Sequence, residues 1–239
     1  MEFKTDALLL RSVDYRDNDK MVTLLTADRG KIGAAMKGVK KAGAKLRFAA
    51  QPFCFAEYVL TQKGEHCTVI SASLYDSFFS LSEDVFCFYA ASAVLEICDK
   101  LSYEELDSRA LLVAAVGALN ELRDGKGASS LIRFLLQALS FAGYPVRAEK
   151  CPFCGKELFG RLRFDMDSGS FACNDCEKGA PASEITYKTV RAALHGESLG
   201  EKDGQVRALR LLSAYFCHHT ESELRALPEA LGVLETDFH

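Results

Sequence analysis

Over the first ~75 residues of this 239-residue chain, apolar and polar positions alternate in short stretches that break at turn residues. Strands are expected at 7–10, 21–26, 31–36, 53–60 and 68–70. A polar bend over 14–19 follows the first, and Ala27-Asp28-Arg29-Gly30 makes a hairpin-like turn between the second and third. Gly64 precedes the fifth. Five short strands with no helical period among them predict a small closed barrel, of which the OB-fold is the commonest five-stranded form.

The pattern changes at residue 82. Ser82 with Glu83 and Asp84 makes an N-terminal cap for a helix over 85–101, which is apolar almost all round and therefore buried. Ser102-Tyr103-Glu104-Glu105 has the form of a capping box and predicts a second helix running to about 123. Gly125 and Gly127 interrupt the chain, and Ser129 or Ser130 is placed to cap a third helix. That helix puts Leu131, Leu135, Ala138 and Ala142 on one face, and Gly143 and Pro145 end it. Two further helices are expected at about 184–195 and 203–219. The chain thus reads as multidomain α+β: an OB-fold nucleic-acid-binding domain over 1–80, then an α-helical domain over 81–239 with a small module inserted at about 148–180.

The apolar run at 110–119 is too short for a membrane span, and the first residues lack the basic and apolar regions of a secretory signal. Five of the nine cysteines, Cys54, Cys67, Cys87, Cys98 and Cys217, stand singly in apolar surroundings. They read as buried free thiols of a reducing interior, which predicts a soluble intracellular protein.

The other four carry the sharpest motif. Cys151-Pro152-Phe153-Cys154 and Cys173-Asn174-Asp175-Cys176 are two C-x₂-C knuckles separated by eighteen residues, the spacing of a four-thiolate zinc site. Strands at 158–164 and 170–172, reversing at Asp167-Ser168-Gly169, would make a zinc ribbon too small to hold itself together without the ion. Four thiolates leave no open coordination position, so the expected Zn²⁺ is structural.

The net charge of −4 hides a split. Residues 1–80 carry twelve Lys or Arg against nine Asp or Glu, and residues 81–239 carry seventeen against twenty-four. Lys20, Arg29, Lys31, Lys37, Lys40, Lys41, Lys45 and Arg47 face a single acid, Asp28, within twenty-eight residues. The densest part, with Gly38 and Gly43 among the lysines, is expected as a flexible loop that tracks phosphates, with Phe48 and Phe53 placed to stack on bases. Solvated lysines and core phenylalanines are the plainer alternative. The five histidines, His66, His195, His218, His219 and His239, have no catalytic spacing, and no nucleophile elbow or phosphate-binding glycine loop is present. Asp14, Asp17 and Asp19 read as turn acids before they read as a Mg²⁺ site.

In order and spacing these segments resemble the RecO family of bacterial recombination mediators. The resemblance rests on Leu10-Arg11-Ser12-Val13-Asp14-Tyr15, on Thr23 through Lys31, on Lys37-Gly38-Val39-Lys40-Lys41, on Leu46 through Gln51-Pro52-Phe53, on Arg133-Phe134 through Gly143-Tyr144, and on the two knuckles. Arg16-Asp17-Asn18-Asp19 and Ala42-Gly43-Ala44 depart from its usual pattern. The resemblance implies a cytoplasmic, nucleoid-associated protein that is not an enzyme, binds single- and double-stranded DNA and anneals complementary strands. It implies that the protein acts with RecR to load RecA on DNA coated by single-stranded-DNA-binding protein. It also implies docking of that protein's acidic C-terminal tail, with Arg133 as the basic position that meets a tail carboxylate. No membrane and no small-molecule substrate enter. The alternatives are an RNA- or ribosome-associated adaptor built on the same barrel and ribbon and, more remotely, a zinc-dependent hydrolase.

Overall fold

A computed structural model describes residues 1–236 of the chain, which divide into two compact units between Asp124 and Gly125. The first unit begins with five strands: β1 (Glu2–Tyr15), β2 (Asp19–Thr26), β3 (Lys31–Met36), β4 (Phe55–Lys63) and β5 (His66–Asp76). They close into a barrel in the order β1-β2-β3-β5-β4, the OB-fold expected from the sequence. All neighbours are antiparallel except β3 and β5, whose parallel pairs Ala34–Cys67 and Ala35–Thr68 seal the barrel. A register shift in β1 between Leu9 and Arg11 lets one long strand serve both β4 and β2. The interior is filled by alternate side chains, among them Leu9, Leu24, Met36, Tyr58 and Leu60. Tyr58 is the largest of them, and its hydroxyl donates to the Ala49 carbonyl at 2.9 Å. That bond holds the 3₁₀ turn Phe48–Ala50 inside the barrel end.

Two helices complete this unit, α1 (Val85–Leu101) and α2 (Arg109–Arg123). α1 spans the expected residues, but its cap is Asp84, whose carboxylate accepts from the Cys87 N–H; Ser82 ends a preceding 3₁₀ turn. α1 is also less completely covered than its composition suggests, with Val85 and Phe88 exposed. The capping box at Ser102 does not form. Ser102 closes α1 by bonding the Cys98 carbonyl, and α2 starts seven residues later. The segment between is claimed by the β2–β3 hairpin: the Lys31 N–H donates to Tyr103 O, the Glu105 N–H to Arg29 O and the Ser108 N–H to Ala27 O. These tertiary bonds outweigh the local cap. They also explain why α1 and α2 belong to the barrel's compact unit, although the helical texture begins near residue 81.

The second unit contains α3 (Ala128–Phe141), α4 (Glu184–Leu194), α5 (Lys202–Thr220) and α6 (Ala226–Thr236), with α3, α4 and α6 packed on α5. α6 has no counterpart in the sequence reading. Neither Ser129 nor Ser130 caps α3; their hydroxyls donate back to the carbonyls of Lys126 and Gly127, and Gly127 itself occupies the N-cap. The inserted module is a three-stranded sheet in the order β7-β6-β8, from β6 (Leu162–Asp165), β7 (Ser170–Cys173) and β8 (Ala180–Ala182). Its strand β8 also escaped the sequence reading. Among the described residues, no helix is long and apolar enough to cross a membrane.

Candidate nucleic-acid interface and metal centre

The loop leaving β3 is a series of tight turns rather than a slack connection. Gly38, at φ +65°, gives its N–H to Asp19 Oδ1 at 2.7 Å, and the Lys40 N–H donates to Asn18 O at 3.0 Å. The loop is thereby fastened to the β1–β2 turn. Val39 is buried in the barrel core and Leu46 packs against it. With these apolar side chains turned inward, Lys37, Lys41, Lys45 and Arg47 are left exposed on the outside. Among the described residues, none of these four forms an ion pair.

The other four cations of the sequence stretch are engaged within the molecule. Lys20 and Lys40 both reach Asp14, at 3.4 Å and 2.7 Å. Lys31 Nζ bonds the Asp99 carbonyl at 2.6 Å and its carboxylate at 3.0 Å, and the Arg29 guanidinium lies over the Phe3 ring, 3.9 Å from its centroid. Arg29 and Lys31 occupy the β2–β3 hairpin, at the opposite end of those strands from Lys20 and Lys37, roughly 17 Å away along β3 at strand rise. The barrel therefore splits the basic stretch between its two ends.

Phe53 is buried, edge-on to Phe88 with ring centroids 6.0 Å apart, and Phe48 packs against the barrel core. The plainer reading holds for both: the core takes them, and Phe53 presents no face to a base. An exposed aromatic stands instead at Tyr15, beside Arg16, whose guanidinium lies 5.0 Å from that ring. Tyr15 ends β1 and Arg16 opens the turn to which the basic loop is tied. The sequence reading passed over Arg16 because three nearby acids mask it in a charge count.

In the second unit the four knuckle sulfurs converge, all lying within 4.8 Å of one another. Cys151–Cys176, Cys154–Cys173 and Cys173–Cys176 stand 3.7, 3.5 and 3.6 Å apart. A tetrahedron of sulfurs ~2.3 Å from a central ion has edges of about 3.8 Å, so the donor set fits a metal and not a pair of disulfides. Burial works against the Cys151 thiolate, but N–H groups of Cys173, Phe153 and Cys154 aimed at its sulfur bring the thiol down to about 6. Among the described residues, this is the one cluster of His, Cys, Asp and Glu able to hold a metal ion. Asp14 and Asp19 serve Lys20, Lys40 and the Gly38 N–H, as turn acids do. Of the five single cysteines, Cys54 and Cys98 are buried as expected, and burial pushes their thiols up; Cys67, Cys87 and Cys217 are only half-buried, and desolvation still pushes Cys87 up to about 11.

His219 Nε2–H donates to Met166 O, 2.7 Å away, while its ring stacks on Tyr144, and His218 faces Asp167 at 3.6 Å. Both secure the ribbon's hairpin to the end of α5. His195 pairs with Glu149 at 3.2 Å and His66 is exposed; His239 lies outside the described residues. Arg133 Nη2 donates to Glu197 O at 3.0 Å, bracing the α4–α5 connection. That connection borders a cleft of about 670 Å³ lined by Ile185, Lys188, Arg191 and Ala192 of α4.

Comparison with known proteins accounts for nearly the whole chain. Residues 1–78 match the family model described as recombination protein O N terminal, and residues 82–228 match that described as recombination protein O C terminal. A protein of Myxococcus xanthus called DNA repair protein RecO is 28 % identical over 233 residues, covering 94 % of this chain and 95 % of its own length. Proteins of that name from Desulfitobacterium hafniense and Clostridium novyi are 29 % and 32 % identical; they cover 91 % and 79 % of this chain and 85 % and 75 % of their own. With the closed barrel inside the N-terminal match and the four-cysteine ribbon inside the C-terminal one, the chain belongs to the RecO family of DNA repair proteins.

Proposed function

We propose that this protein is a non-enzymatic DNA-binding recombination mediator, active in the cytoplasm at the nucleoid. It binds single- and double-stranded DNA, anneals complementary strands and, with RecR, promotes RecA loading on DNA coated by single-stranded-DNA-binding protein. The observation that carries the reading is the set of four exposed, ion-pair-free cations, Lys37, Lys41, Lys45 and Arg47, on one anchored loop of an OB barrel. Cations at that end of such a barrel track a phosphate backbone without reading sequence, as annealing of arbitrary complements requires. Arg16 and Tyr15 extend the same surface. Lys20 and Lys40 border the same surface, paired with Asp14, whereas Arg29 and Lys31 stand at the other end of the barrel.

The metal of the ribbon is structural Zn²⁺: four thiolates close its coordination sphere and leave no site for a reactive water. The acidic tail of the coating protein docks on the helical unit through Arg133, beside a cleft lined by Glu184, Glu197 and Glu201 as well as by Lys188 and Arg191.

The test is annealing of two complementary oligonucleotides, with an RNA strand of equal length as competitor. This reading expects annealing without nucleotide hydrolysis, and its loss when the four loop cations are replaced by Gln. If RNA displaces DNA throughout and no annealing occurs, the protein is an RNA-associated adaptor.

A further inference from the structure

The interface contains one group that works against it. Asp14, near the end of β1, sets Oδ1 3.4 Å from Lys20 Nζ and Oδ2 2.7 Å from Lys40 Nζ. Those two lysines line a cleft of about 250 Å³ together with Val39, Arg47, Ala50 and Gln51. Three cations and an amide around one small concavity make a donor set suited to a single phosphate. The Asp14 carboxylate, 62 % exposed, does not line the cleft itself but pairs with the two lysines that do. The hydrogen bond from Lys40, above all, holds its carboxyl below the usual range, so it is ionised at neutral pH.

We propose that Asp14 stands in for a phosphate: in the free protein its carboxylate neutralises Lys20 and Lys40, and a nucleic-acid strand binds by exchanging one of its phosphates for that carboxylate at the cleft. The inference rests on the nucleic-acid reading given above and adds a built-in competitor to it. The exchange is feasible because an exposed carboxylate–lysine pair is weakly held and a phosphodiester offers the same two-oxygen geometry. The consequence is an affinity lower than the number of basic groups would give, set by a side chain that touches no nucleic acid in the bound state.

The experiment is equilibrium binding of a fluorescent single-stranded oligonucleotide to the full chain at fixed moderate salt. Asp14→Asn tightens binding roughly three- to tenfold. Asp17→Asn, which removes the same charge from the same turn but pairs with neither lysine, gains clearly less. In a Lys20→Gln, Lys40→Gln background the Asp14→Asn gain disappears. Should Asp14→Asn fail to fold, Lys40→Gln alone decides: it costs less affinity than Lys41→Gln, because losing Lys40 also removes the competing pair. Oligonucleotides with and without a 5′ phosphate report whether the seated group is terminal or internal. Equal gains from Asp14→Asn and Asp17→Asn, a gain that survives loss of both lysines, or no gain overturn the inference. If the fourfold loop variant weakens binding while Asp14→Asn does nothing, the inference alone fails. If the fourfold variant also binds normally, the proposed interface itself fails.

Discussion

Gly30 shows how much one residue decides. It sits at φ +63° in the β2–β3 hairpin, and a Cβ there would lie 1.9 Å from Tyr103 O and 2.7 Å from Leu106 O. The sequence marks it as a turn glycine; the stronger reason is that the backbone of residues 103–106 passes directly against it. Gly43, at φ +75°, has nothing within 4 Å of the same position. Gly30→Ala therefore carries both strain and overlap and costs on the order of 3 kcal/mol in denaturant unfolding, whereas Gly43→Ala carries strain alone and costs about 1 kcal/mol. Equal losses would show that the hairpin is not pinned to residues 103–106. Tyr58 is a second such residue. Tyr58→Phe keeps the ring in the barrel but leaves the buried Ala49 carbonyl without its donor, an expected loss of about 1–2 kcal/mol in the same titration. A variant as stable as the parent would mean that the hydroxyl bond does not hold the Phe48–Ala50 turn.

At the scale of elements, the ribbon is tied down twice. The four knuckle sulfurs converge at one end as a set able to hold a metal, and at the other Phe164 and Phe171 meet Tyr215 and Tyr187 edge-on, with the Tyr187 hydroxyl on Ala148 O at 3.1 Å. Removing the metal with a chelator, or making Cys173→Ser with Cys176→Ser, is expected to abolish binding of one equivalent of zinc and open the knuckle end. The α-helical circular dichroism should change little, since α4 and α5 keep the aromatic anchor. Collapse of the helical signal on chelation would show that the metal holds the whole unit. The sequence alone predicts a ribbon wholly dependent on its ion, because the aromatic partners Tyr187 and Tyr215 lie well beyond it, on helices further along the chain. The same limit governs what else was legible. Strand periodicity and the C-x₂-C spacing are local signals, and the barrel, α1 and the metal cluster follow from them. The caps at Ser102, Ser129 and Ser130 are also local signals, yet tertiary bonds to the β2–β3 hairpin and a glycine N-cap displaced them. The burial of Phe53 could not be read from residues around it, because Phe88 on α1 packs against its ring.

Across the molecule, charge is more informative by position than by sum. In a chain of net charge −4, four exposed cations of one loop form no ion pair among the described residues, while the other basic groups in the same stretch are paired or stacked. Binding through that loop releases counterions, and the number released is read from the salt dependence. The most direct test is the slope of log affinity against log salt for a single-stranded oligonucleotide, compared between the parent and the Lys37→Gln, Lys41→Gln, Lys45→Gln, Arg47→Gln variant. The account predicts a steep parent slope that becomes shallower by roughly two to three units in the variant, at about 0.7 for each phosphate no longer neutralised. Equal slopes in a folded variant would contradict it, and the loop would not be where this protein meets nucleic acid.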